Sequence, residues 1–123
     1  MDNTTTIDEI KQWIKDFDNK RDWGQYHHPK ELAISISLEA AELLENFQWK
    51  EKTIESIKSN NKLLQSLQNE LADIIIYSLN FADQLDIDVS EAVKSKLEEN
   101  NKKYPVELVK GKSDKYTEYE VGL

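Results

Sequence analysis

The chain has 123 residues with no cysteine, three glycines, two prolines and a formal net charge of −8. That length suits one domain, and so few glycines and prolines point to long helices, not to a turn-rich β fold. Disulfide scaffolds, thiolate metal sites and cysteine nucleophiles are excluded, and the negative field opposes binding to a nucleic-acid polymer.

In chain order, Thr6-Ile7-Asp8-Glu9 has capping-box spacing. Ile7, Ile10, Trp13, Ile14 and Phe17 follow at helical intervals, predicting a first amphipathic helix to about residue 19. Lys20 to His28 contains Gly24 and reads as a structured loop. Pro29 suits the first turn of a second helix, where its missing N–H costs nothing. That helix carries an apolar stripe of Leu32, Ala33, Ile36, Ala40, Leu43, Leu44 and Phe47. Thr53 to Asn61 predicts a short helix or turn. From Lys62, the positions Leu64, Leu67, Leu71, Ile74, Ser78, Phe81 and Leu85 step by three and four, the seam of a packed helical hairpin. Asp88 with Glu91 starts another helix, which ends before Pro105. Residues 106–123, with Tyr116 and Tyr119, are expected to form an extended arm. The whole predicts one all-α domain over residues 1–123, a bundle of four to five helices. No apolar run is long enough to cross a bilayer, and the N-terminus lacks a basic-then-apolar leader, so a cytoplasmic protein without membrane contact is expected.

Glu39 with Glu42, and Glu70 with Asp73, are acidic pairs three residues apart in the most apolar parts of two helices. Each pair shares a helix face. Glu39 and Glu42 share theirs with Ser35, Asn46 and Trp49, and Glu70 and Asp73 share theirs with Tyr77. Carboxylates against a core are costly unless paired or ligating a cation, and four facing one another across antiparallel helices call for a hard divalent metal. Mg²⁺ is the first candidate and Mn²⁺ its substitute. Any single such pair in so acidic a chain is better read as ordinary solvated acids on a helix shoulder; two pairs weigh against that. A di-iron bundle needs Glu-x-x-His pairs, and His27 and His28 follow Gly24 and Gln25 at that spacing instead. Zinc lacks a histidine ligand set, and no Walker-type phosphate loop occurs. Trp23, Tyr26, His27, Trp49 and Tyr77 could sandwich a base. Lys96, Asn100, Lys103 and Tyr104 recur on one face of the last helix and suit phosphate oxygens.

Five ordered segments resemble the MazG-like all-α nucleoside triphosphate pyrophosphohydrolases, and most closely their compact dCTP pyrophosphatase branch. Arg21-Asp22-Trp23-Gly24-Gln25-Tyr26-His27-His28-Pro29 is similar to R-D-W-x-Q-F-H-x-P. Glu39-Ala40-Ala41-Glu42-Leu43 with Phe47-Gln48-Trp49 resembles E-x-x-E-L…F-Q-W, and Glu70 to Tyr77 resembles E-L-A-D-V-x-x-Y. Lys96 to Val106 resembles K-x-x-x-N-x-x-K-Y-P-V, and Lys110-Gly111 with Lys115-Tyr116 resembles the tail. The resemblance implies hydrolysis of a nucleoside triphosphate between its α and β phosphates, giving the monophosphate and pyrophosphate. It implies Glu39, Glu42, Glu70 and Asp73 as Mg²⁺ ligands and catalytic groups. It places Trp23, His27, Trp49, Tyr77, Lys96, Asn100, Lys103 and Tyr104 at substrate positions, aromatic members on the base and Lys96, Lys103 and Tyr104 on phosphates. One carboxylate, Glu42 for example, would orient water; spacing does not choose among the four. A homodimer or homotetramer is expected, because a stable cage calls for helices from a second subunit. Two positions depart from the pattern: Leu38 stands where many relatives have an acid, and Glu31 where the branch tends to have an amide. A different class of function for the same bundle is a non-catalytic nucleotide- or protein-binding module that retains the metal site.

Overall fold

The computed structural model describes residues 1–111. Among them every regular element is helical: α1 (Ile7–Lys20), a 3-10 turn (Trp23–Gln25), α2 (Pro29–Glu45), α3 (Ile54–Lys58), α4 (Asn61–Gln84), α5 (Val89–Lys103) and α6 (Val106–Val109). The all-α expectation holds.

Local chemistry explains the boundaries. Thr6 and Glu9 form the reciprocal capping box that satisfies orphan amides at the start of α1. Pro29 opens α2. Thr53 caps α3 through the Ser56 amide, and Asn60 caps α4 through the Leu63 amide. Asp88 accepts from the Glu91 amide and starts α5. Asp22 reverses the chain after α1 with φ +53°, a conformation that a short polar side chain tolerates. Gln25 Nε2 donates to the Asp22 carbonyl and carboxylate, which closes the turn. Where an arm was expected from residue 106, Val106–Val109 forms one helical turn behind Pro105. Tyr116, Tyr119 and the remainder of that arm lie outside the described residues.

The chain divides into two compact units, Met1–Ile87 and Asp88–Leu123. In the first, α2 packs along α4, and α1 and α3 also lie against α4. Ile14, Leu32, Leu79 and Ala82 are its buried hydrophobic side chains. Several predicted core positions are exposed instead: Trp13, Leu44, Leu71 and Leu85, with Ala33 and Ala40. Periodicity marks these positions as apolar, but the other described residues do not cover them. Asn46 ties the end of α2 to α4, where its Oδ1 accepts from Ser66 Oγ at 3.2 Å.

Leu32 is completely enclosed. Leu32→Ala is expected to destabilise the protein by about 2–5 kcal/mol, from lost transfer energy and the cavity left behind. Chemical denaturation measures this; a change below about 0.5 kcal/mol would mean that the site collapses around the smaller side chain.

Candidate active site

The tight packing of α2 on α4 brings the acidic pairs together. One oxygen each from Glu39, Glu70 and Asp73 lies within 4.8 Å of the others. Oxygens that share a cation at about 2.0–2.6 Å are themselves up to about 4–5 Å apart, so this spacing admits one ion among three carboxylates. Glu39 Oε2 and Glu70 Oε2 are buried and have no hydrogen-bond partner. Buried polar atoms are rarely left unpartnered, and a pair of orphaned carboxylate oxygens fits a role in holding a cation. The donors are all oxygen, with no imidazole or thiolate among them, which suits a hard divalent ion.

The electrostatics agree. Burial pushes the Glu39 carboxyl up to about 7, helped by its contacts with Glu70 and Glu42 and by the charges of Glu42 and Asp73. For Glu70, the nearness of Glu39 pulls downward, yet burial, Glu42 and Asp73 leave its carboxyl above the ordinary range. Burial, then the charges of Glu39, Asp73, Asp18 and Glu42, raise the Tyr77 phenol, so its ring adjoins the acids as a neutral donor. Glu42 stands outside the group of three and is exposed. With Glu45, Asn46, Ser66 and Glu70 it lines a cleft of about 300 Å³.

Aromatic groups extend away from the acids. His27 meets Tyr77 edge-on at 6.3 Å and Trp23 at 5.8 Å, and Trp23 meets Phe17 at 5.5 Å. The Arg21 guanidinium covers the Phe17 ring at 3.7 Å. Trp49 is 90% exposed and holds φ +70°. A bulky residue in that region carries about 1–3 kcal/mol of strain, a state that persists mostly at functional positions. Lys96, Asn100, Lys103 and Tyr104 belong to the second unit. There Glu99 accepts from Lys103 at 3.1 Å and from Lys96 at 3.4 Å, which holds its carboxyl below the ordinary range.

Sequence pattern did not single out Asp18, Asn80 and Gln84. Asp18 is the one buried charged side chain among the described residues. Asn80 donates to it at 2.7 Å and His27 Nδ1 lies 3.2 Å away, while Gln84 Nε2 bonds the His27 carbonyl. A signal was present: Asp18 falls four residues after buried Ile14, where an amphipathic pattern calls for an apolar side chain.

An all-helical protein with a carboxylate cage between two packed helices is the class that this fold and geometry define. A model of the MazG-like family matches residues 34–119, and the chain belongs to that family. It is 37% identical over 114 residues to dCTP pyrophosphatase 1 of Mus musculus, covering 92% of this chain and 67% of that protein. The Homo sapiens protein of that name is 35% identical over the same shares. A crystal structure of a pyrophosphatase from Archaeoglobus fulgidus superposes with a TM-score of 0.72 at 42% identity, covering 80% of this chain and 91% of that one.

A proton-loaded cage has a consequence for stability. Because the Glu39 carboxyl lies near 7 when folded and near 4.5 when unfolded, the folded state binds more protons between those values. The metal-free protein is therefore expected to lose stability as pH rises from about 4.5 to about 7. Mg²⁺ or Mn²⁺ is expected to raise the melting temperature most above that window. Thermal melts of wild type and Glu39→Gln isolate the effect: equal pH slopes in the two would refute it.

Proposed function

We propose that this chain is a divalent-cation-dependent nucleoside triphosphate pyrophosphohydrolase that cleaves dCTP, or a related deoxynucleotide, to the monophosphate and pyrophosphate. The cage of Glu39, Glu70 and Asp73, with its two orphaned buried oxygens, is the observation that carries this function. Family membership and the pyrophosphatase relatives support the same enzyme class.

Glu39, Glu70 and Asp73 hold the cation, Mg²⁺ by preference, with Glu42 as the fourth carboxylate. When bound, the ion supplies positive charge against the phosphate oxygens and the leaving pyrophosphate, and makes water more acidic. Glu42, exposed beside the cleft, is placed to orient the attacking water and accept its proton. Tyr77, kept neutral by the surrounding acids, donates a hydrogen bond to substrate. Trp23, His27 and Trp49 hold the base; the exposed ring of Trp49 needs little rearrangement to stack. Lys96, Asn100, Lys103 and Tyr104 supply positive charge and donors for the phosphates; Glu99 pairs with both lysines in the chain without substrate. No covalent intermediate is needed, in keeping with a chain without cysteine.

In this assignment residues 1–123 form one MazG-like domain, since the family match at 34–119 runs across both compact units. A homodimer or homotetramer accounts for apolar side chains such as Trp13, Leu38 and Leu71, each more than half exposed in the single chain. None of the described helices is long and apolar enough to cross a membrane, and a cytoplasmic location accords with the substrate class.

Incubation with dCTP and Mg²⁺ should release dCMP and pyrophosphate in equal amounts. Glu70→Gln is expected to lower kcat/KM by about 10²–10³-fold, the scale of losing several kcal/mol of charge stabilisation. Nucleotide binding without turnover would favour a non-catalytic nucleotide-binding module, and unchanged turnover in Glu70→Gln would remove the cage from the chemistry.

A further inference from the structure

His27 sits between α1 and α2, edge-on to Trp23 and Tyr77. Its Nδ1 lies 3.2 Å from Asp18 Oδ2, and the same oxygen accepts from Asn80 Nδ2 at 2.7 Å. Gln84 continues the chain by donating to Asn80 Oδ1 at 3.3 Å and to the His27 carbonyl. Asp18 itself is only 9% exposed.

The direction of these bonds follows from their partners. Against an ionised Asp18 carboxylate, which only accepts, the contact with His27 requires the proton to be on Nδ1. Asn80 spends an amide hydrogen on Asp18 and offers its oxygen to Gln84, so its orientation is determined by both neighbours. In a neutral imidazole the second nitrogen then carries the lone pair. Among the described residues no hydrogen bond reaches His27 Nε2. An acceptor is thus left available beside two aromatic faces. Those faces attract any base, because every base has a π surface. The acceptor does not. Cytosine and adenine present an exocyclic amine where thymine, uracil and guanine present a carbonyl.

We propose that Asp18, steadied by Asn80, is a positioning residue that holds His27 as its Nδ1–H tautomer, so that Nε2 selects nucleobases with an exocyclic amine over those with a carbonyl at that position. This rests on the nucleotide-hydrolase function proposed above, and it adds a physical basis for base choice. A carbonyl oxygen against Nε2 sets two acceptors face to face and leaves both unpaired. Sites built around one hydrogen bond discriminate strongly for that reason. Were His27 instead doubly protonated on Asp18, Nε2 would donate and the preference would reverse.

Two measurements on the full chain test the proposal. ¹⁵N-histidine NMR at about pH 8, assigned with a His28→Gln variant, reads the tautomer directly. Nδ1 is expected to be protonated and Nε2 bare; a proton on Nε2 overturns the proposal. In steady-state kinetics, dCTP is expected to exceed dUTP in kcat/KM by at least about tenfold. Asp18→Ala should bring that ratio within about threefold of unity, while Asp18→Asn, which keeps an oxygen for both donors, should preserve most of it. A folded Asp18→Ala protein with an unchanged ratio overturns the proposal. If wild type hydrolyses neither nucleotide, the enzymatic function falls on its own. Calorimetry with Mg²⁺ and dCTP against dUTP then reads the same selectivity, and equal affinities overturn the tautomer assignment.

Discussion

Mutual repulsion among carboxylates held between α2 and α4 is the constraint on which the site depends. Backbone hydrogen bonding makes each helix stiff, so the packing of α2 on α4 holds the backbones of Glu39, Glu70 and Asp73 close enough for their carboxylates to meet. Burial then removes the solvent that would otherwise screen their charges. Two outcomes relieve the strain: a proton taken up by the cage, or a dication within it. The raised Glu39 carboxyl is the first outcome in the metal-free chain, and the two orphaned oxygens mark where the second would act. Metal affinity, protonation and folding stability are therefore one linked equilibrium.

A second polar network does different work a short distance away. Asp18, Asn80, Gln84 and His27 join α1, the loop after it and α4 through directional bonds. Apolar contacts alone would let that loop slide, because dispersion has little angular preference. Here the loop is pinned at the His27 carbonyl and at its ring. Tyr77 lies between the two networks: it meets His27 edge-on and feels the charges of the cage acids. The His27 network and the acidic cage are thus both anchored to the same helix, α4.

The apolar surface belongs in the same account. Four hydrophobic side chains are buried, whereas Trp13, Leu38, Leu44 and Leu71 remain exposed on the helices that build the cage and its supports. A helix with apolar residues on more than one side is suited to being covered on more than one side. Strain at the cage is tolerable only if α2 and α4 stay packed, and association of subunits along their uncovered faces would reinforce that packing.

Sequence by itself determined the all-helical class, the helix starts and which acids were candidates for a shared site. Those properties rest on short-range chemistry: a Thr6–Glu9 capping box, a Pro29 first turn, an Asp88 cap, and acids three apart on one helical face. Tertiary structure decided what local pattern cannot encode. Periodicity marks Trp13, Leu44 and Leu71 as apolar, but only the arrangement of helices shows that nothing in the described chain covers them. It likewise separated exposed Glu42 from its three neighbours, since which acids meet depends on the register of α2 against α4. Asp18 shows the difference most clearly. Its position four residues after Ile14 hinted at burial, yet its partners His27 and Asn80 lie 9 and 62 residues along the chain. Such a bond forms only once distant segments are folded together, because hydrogen-bond geometry is a property of space, not of sequence separation.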